Sequence, residues 1–543
     1  MSWLCKPAAL SALTIIFPFV LVAQKPPLAI DKLVDRIAAR ERQEVQIVRK
    51  YQPIIETYIQ NIRLDQHVGF VPVKDHYFIG IADLAKGTIL HSMESKEGPQ
   101  KRPNPIDLLA SAVAPTYIPA GFLEMIFIDP KGFDRHHYVF EYIRREFLGD
   151  VRCLVFDVTP APNSGSGRFH GRMWVEDRQY TIVRFSGVFE PVVRKFGYNL
   201  HFDSWRENAG PNLWLPAYIY NGEEGISNMF GHVSEKSQTR LWGYGRKNAV
   251  QQQEFSEMSV ESPGVNDEVD HNKDSSPIDQ QRQFVNQGEE RVVARLEQAG
   301  LVSPAGEVEK TLDIVINNIE KTNNLDIQPE IRCRVLLVST LELSSLGHTI
   351  LISRGLLDVL PDEPSLAAML AHEMGHILLG SPAVPTWAFA DQLLFPDEES
   401  LQRFSFSTSG DDEQQASQKA LQLMENSPYK DRLARAGLFL RQIDAESKQL
   451  TNLISPHLRN PAFFDSELEK AAPPLQPASL EQIAALPLGS RINLDPWNDH
   501  LELLKHKPVQ LNSLSEKLPL GLTPFYPYMT RKTDADAPNP SAK

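Results

Sequence analysis

Between residues 31 and 60 apolar positions recur at helical spacing among many charges (DKLVDRIAARERQEVQIVRKYQPIIETYIQ), and Pro53 interrupts the run. That pattern predicts two successive helices. From about residue 70 to 260 the period shortens to that of strands. The clearest meander runs from Val151 to Val158, turns at Asn163-Ser164-Gly165-Ser166-Gly167, continues from Phe169 to Val175, and turns again at Glu176-Asp177 into Tyr180 to Phe185. Further aromatic strands are predicted at Phe196 to Phe202, Leu213 to Tyr220 and Thr239 to Tyr244. Together they give a large antiparallel sheet that curls.

The stretch from Glu261 to Gln283 has no aromatic residue, two prolines and many charges, which makes it a linker between domains at 28–260 and 284–470. Beyond it Val308, Leu312, Val315, Ile316 and Ile319 share one helical face. A strand follows at Val335 to Ser339, another at Thr349 to Ser353, and a short helix from Arg354 to Leu360. The next helix carries start and stop signals: Asp362 and Glu363 before Pro364, then Gly380 and Pro382 at its end. Prolines 473, 474 and 477 precede a small C-terminal region at 478–530. The fold class is therefore α+β and multidomain, a sheet domain followed by a mainly helical one with a small sheet.

Lys6 followed by an apolar run from Pro7 to Ala23 reads as a signal peptide over 1–23, with export to the periplasm or the exterior; the alternative is an uncleaved anchor. A net charge of -14 without a dense basic cluster disfavours nucleic acid as a partner. Cys153 and Cys333 fall in different domains and in apolar runs, so no disulfide is expected.

Candidate chemistry sits in the capped helix. His372 and His376 are four residues apart in His372-Glu373-Met374-Gly375-His376, so both imidazoles leave one face a turn apart, as two ligands of one zinc require. Glu373 stands beside that face, where a general base can reach a water at the open metal position. Surrounding residues are apolar nearly all round, and burying two histidines and a glutamate there calls for a compensating charge. No histidine occupies 379 or 382, so a later carboxylate is the alternative for a third ligand. In the helix beginning at Asp411, Glu413 shares a face with Ala416, Ala420 and Met424, and the alanines permit close approach to the first helix. Asp412 competes for the role, and its face continues through Lys419. Asp411 reads as a cap. One zinc per chain is expected.

With HExxH and a downstream glutamate in hand, residues 285 to 465 resemble the gluzincin peptidases of the HtpX and CAAX-prenyl-protease kind, which implies a zincin-type metalloendopeptidase acting on polypeptides; membrane members of that family have several spans, and with no apolar run of that length after residue 23 a soluble form is expected here. The family pattern ExxxD or ExxAD meets Glu413-Gln414-Gln415-Ala416-Ser417 here, with serine in place of the aspartate that would orient a ligand or its neighbour. The resemblance further implies an extended substrate along a sheet edge, for which Thr349 to Ser353 is the candidate. It also implies a donor for the tetrahedral oxyanion near His457 and Arg459, in the order Pro456-His457 rather than His-Pro. Ser381 to Gly410, with five large aromatics, is either a lid or packing against the core. In the first domain, the succession from Arg144 to Gly149 through GRMWVEDRQYTIVRF resembles the half-barrel of LolA/LolB lipoprotein carriers, which implies a lipid, lipoprotein or peptide contact, or only a docking scaffold. A non-catalytic carrier and a latent peptidase are the alternatives to an active enzyme. Substrate and oligomeric state are not legible.

Overall fold

A computed structural model describes residues 28–65, 69–92, 122–190, 201–228, 231–246, 290–380, 410–461, 467–470, 472–476, 488–504 and 520–532. The expected signal segment, the linker at 261–283 and the aromatic stretch at 381–409 lie outside them. Helix α1 (Leu28–Val48) forms as its periodicity predicts and buries Val34, Ile37, Ala38, Val45 and Val48. The second helix expected before residue 60 is instead strand β1 (Ile54–Asp65), buried from Ile54 to Gln60 and again at Ile62. The reason is position: β1 is central in the sheet and covered on both faces, so the polar alternation that marks a half-buried strand is missing and apolar spacing imitates a helix.

Nine more strands complete an antiparallel sheet: β2 (Gly69–Asp83), β3 (Thr88–Ser92), β4 (Tyr138–Leu148), β5 (Val151–Pro160), β6 (Arg168–Glu176), β7 (Ile182–Glu190), β8 (Phe202–Gly210), β9 (Leu213–Asn228) and β10 (Gly231–Trp242). Their order is β3-β2-β1-β10-β9-β8-β7-β6-β5-β4. The meander from 151 to 185 forms as predicted; of the strand expected at 196–202, residues 196–200 lie outside the described set and β8 runs on from Phe202. Alternation along β1 and β2 divides the layers. Ile55 joins the core beneath α1, with Phe169, Phe185 and Phe202, while Ile54, Tyr58 and Ile79 face the second half of the chain. A buried ion pair of Arg206 with Glu41, at 2.6 and 2.7 Å, fixes α1 to the sheet.

The second half comprises helix α2 (290–298), α3 (Glu307–Thr322), strands β11 (Arg332–Leu336), β12 (Leu343–Leu346) and β13 (Thr349–Ser353), then helices α4 (Arg354–Val359), α5 (Glu363–Leu379), α6 (Gly410–Glu425) and α7 (Leu433–Ser447). The strand expected at 335–339 lies three residues earlier. The small sheet has the order β11-β13-β12. Thr349–Ser353 is therefore its central strand and not an edge, which corrects the expected substrate edge: parallel β11 and antiparallel β12 flank it, and β12 packs beside α5. Its five residues are all buried, as a doubly flanked strand requires.

Ile54, Tyr58, Ile79 and Trp242 of the large sheet share one hydrophobic cluster with Leu337, Leu341, Ile350 and Met369, so the two halves meet in a common core. The C-terminal hairpin, β14 (Ile492–Leu494) with β15 (Leu501–Leu503), docks on α4, where Asp358 accepts from the Arg491 and Ile492 amides. Residues 520–532 then return across the large sheet, with Phe525 against Tyr218 and Tyr526 against Trp205. Among the described residues no helix is long and apolar enough to cross a membrane.

Candidate metal centre

Helix α5 is pinned at both ends. The Asp362 side chain accepts from the Ser365 amide at 3.0 Å, and Gly380 takes the left-handed conformation (φ 65°) that closes the last turn. Between them every residue from Ala367 to His376 is buried. Helix α6 lies against this one. Gly375 makes the approach feasible, because a Cβ there would stand 2.7 Å from the Ala416 carbonyl oxygen. On α6, Glu413, Ala416, Ala420 and Met424 are buried, Asp412 is half-buried and Asp411 exposed, in the helical phase that the sequence predicts.

The side chains converge on one point. His372 Nε2 is 3.2 Å from His376 Nε2 and 3.0 Å from Glu413 Oε2, and His376 Nε2 is 3.5 Å from the same oxygen. Two ligands at about 2.0–2.1 Å from a tetrahedral zinc stand about 3.3 Å apart. Three atoms forming a triangle with edges of 3.0, 3.2 and 3.5 Å thus fit three corners of that tetrahedron, and an N,N,O donor set is one that zinc takes. Glu373 comes to the same pocket from α5.

His457, from the segment after α7, completes the group. Its Nε2 lies 3.2 Å from Glu373 Oε1 and its Nδ1 3.1 Å from Glu413 Oε1. Burial lowers its basicity, but the two carboxylates outweigh that and hold it protonated, raised to about 10. The same contacts act on the acids: burial favours the neutral forms, yet the surrounding histidines keep Glu413 far below the usual carboxylate range and Glu373 below its ordinary value. Burial lowers His372, so its imidazole is neutral, the form that binds metal. Ser417 Oγ, where the family pattern has aspartate, lies 3.4 Å from His372 Nδ1, the ring position from which an outer partner orients a ligand. Arg459 stays out of the group; its Nε donates to the Ile454 carbonyl at 2.9 Å. The sequence reading therefore brings together His372, Glu373, His376, Glu413 and His457. It leaves out Arg459, and it missed Asp75 and Asn452, which hold the segment before His457.

Residues 344–388 match the model of Peptidase family M48, a span from β12 through α5. The match supports a metallopeptidase, a hydrolase of the zincin type, in this part of the chain, and metal dependence with it. Among curated proteins none matches. Solved structures that resemble part of the fold include two very distant ones. One is a LolA superfamily protein from Nitrosomonas europaea, 12% identical over 40% of this chain and 96% of its own, with a TM-score of 0.19. The other is the MucA/MucB complex of Pseudomonas aeruginosa, 9% identical over 39% of this chain and 94% of its own, with a TM-score of 0.15. Likenesses at that level carry no argument about this chain.

Proposed function

We propose that the protein is an exported zinc-dependent endopeptidase that cuts polypeptides of the cell envelope or exterior, with His372, His376 and Glu413 as the protein ligands of one zinc per chain. The triangle of ligand atoms with tetrahedral edges carries this reading. Bound there, zinc would polarise the scissile carbonyl and make water acidic enough to lose a proton near neutral pH. Glu373, already ionised, would accept a proton from the water as its oxygen adds to the scissile carbonyl carbon, and would pass that proton to the amine nitrogen as the C–N bond breaks. His457 faces carboxylates with both ring nitrogens, so it sets the spacing of base and ligand; to serve the oxyanion it would have to release Glu373. Among the described residues β12 pairs with β13 alone, so its other edge, beside α5, is the candidate for an extended substrate, whose main-chain pairing would leave sequence preference loose.

A carrier function of the large sheet is not favoured. Around Trp174, Trp205 and Trp214 the chain's own residues 520–532 cover one face, and α1 covers the other. The discriminating experiment compares zinc-loaded wild type with Glu373→Gln on an unfolded protein substrate. The variant should hold equal zinc and cleave at least a hundredfold more slowly. Cleavage at the wild-type rate would exclude Glu373 as the base, and no cleavage by either protein would exclude the enzyme. For the export part, N-terminal sequencing of mature protein should begin near Gln24; a chain still starting at Met1 in the cytoplasm would refute it.

A further inference from the structure

The large sheet does more than share a core with the second half; it reaches the segment that carries His457. Asp75, on the face of β2 turned to the second half, is 1% exposed and lies in the same pleat row as Tyr77 and Ile79. A carboxylate so buried is costly unless donors surround it. Four bonds do so. Its oxygens accept from the Asn452 amide at 3.1 Å, the Asn452 side-chain Nδ2 at 3.0 Å, the Leu453 amide at 2.6 Å and the Tyr58 hydroxyl at 3.4 Å. Asn452 Nδ2 also donates to the Asp75 carbonyl at 3.0 Å.

Those amides belong to a non-helical stretch whose N–H groups need partners. The same stretch is tied on its other side to the chain leading into β12: Leu341 N donates to Leu453 O at 2.6 Å, and Ser455 N to Leu341 O at 3.0 Å. Two residues later comes His457. A second sheet carboxylate anchors the other strand of this tie, since Glu56 of β1 accepts from the Ser339 amide and hydroxyl, both at 2.6 Å.

We infer that Asp75 is a positioning residue for the metal centre: from the N-terminal sheet it fixes the 452–457 turn and thereby the placement of His457 between Glu373 and Glu413. The inference rests on the proposed zinc peptidase for its kinetic readout, and not for its structural one. It gives the large sheet a task in catalysis without any ligand of its own. A misplacement of about 1 Å in a catalytic group costs on the order of a hundredfold in rate, and loss of an outer partner about 10–100-fold. Asp75→Asn keeps the shape but loses the anionic acceptor of those four bonds. Asn452→Ala removes only the side-chain part and acts as the milder variant.

The test is a double-mutant cycle with His457→Ala in the full-length, zinc-loaded protein, joined to hydrogen exchange of the backbone. Asp75→Asn should lower kcat by about 10–100-fold with KM nearly unchanged, and should cost nothing further once His457 is alanine. Exchange should quicken in peptides spanning 450–458, with Asn452→Ala showing a smaller change in the same direction. An equal loss of kcat in both backgrounds would reduce Asp75 to a structural role and overturn the inference, as would unchanged exchange at 450–458. If wild type binds metal but cleaves nothing, the peptidase reading fails alone, and the cycle is read on the cobalt(II) absorption bands. Asp75→Asn should shift them with His457 present and leave them unmoved without it; a shift in both backgrounds, or in neither, overturns the inference.

Discussion

Adding one methyl group at Gly375 tests how the two helices build the centre. A Cβ there would stand 2.7 Å from the Ala416 carbonyl oxygen and 3.2 Å from its Cα, where ordinary contact begins at 3.4 Å. Both blocking atoms are backbone, so no rotamer change relieves them. Helices α5 and α6 must part by about 0.7 Å, the difference between 3.4 and 2.7 Å. Such overpacking costs about 1–3 kcal/mol, offset by about 1 kcal/mol because alanine is the better helix former. The net loss of about 0–2 kcal/mol lowers the midpoint of thermal unfolding by a few degrees at most. The metal site suffers more. Glu413 lies one turn before Ala416, while His372 and His376 flank Gly375, so the gap is added to the edges of 3.0 and 3.5 Å and carries both well beyond the about 3.3 Å that tetrahedral zinc sets. Gly375→Ala should therefore weaken zinc binding by about 10–100-fold, measured by competition with a chelating dye, with unfolding of the metal-free protein little changed. Shortening Ala416 to glycine in the same chain should not restore affinity. Wild-type affinity in Gly375→Ala would refute the proposed dependence of the ligand triangle on this close approach.

Glu413→Gln should weaken zinc at least a hundredfold, as loss of an anionic ligand does, while Asp412→Asn changes it little; a metal titration giving the reverse order would reassign the third ligand. Stability should also depend on pH through Glu44, a residue of α1 whose carboxyl burial pushes up to about 7, against the opposing pull of Arg40 and Arg206. Because the folded value lies above the unfolded one, its contribution is fully present below about pH 4.5 and is lost as pH rises through 7, by about 3 kcal/mol. Chemical unfolding from pH 5 to 8 should show wild type losing stability relative to Glu44→Gln, and parallel curves would contradict this.

Much of the centre is legible in the sequence because its proposed ligands lie on helices, where phase fixes direction. His372 and His376 need only their spacing, and Glu413 needs only the stripe of Ala416, Ala420 and Met424 to be turned inward. His457 was reached through family resemblance, and its double contact with Glu373 and Glu413 has no local signature. Asp75 had none either: in Lys74-Asp75-His76-Tyr77 it reads as an ordinary polar strand position, and only the pairing of distant segments buries it against Asn452. Packing on both faces likewise took the strand signature from β1, while β13 is flanked by two strands close by in the chain, β11 and β12, and its residues carry no mark of that middle place in the sheet order.

The most direct test of a zinc centre built from these residues is the metal content of purified protein, determined by elemental mass spectrometry on wild type and His376→Ala. One zinc per chain in wild type and almost none in the variant is the result this structure predicts. Full zinc content in His376→Ala, or none in wild type after zinc is supplied, would contradict it.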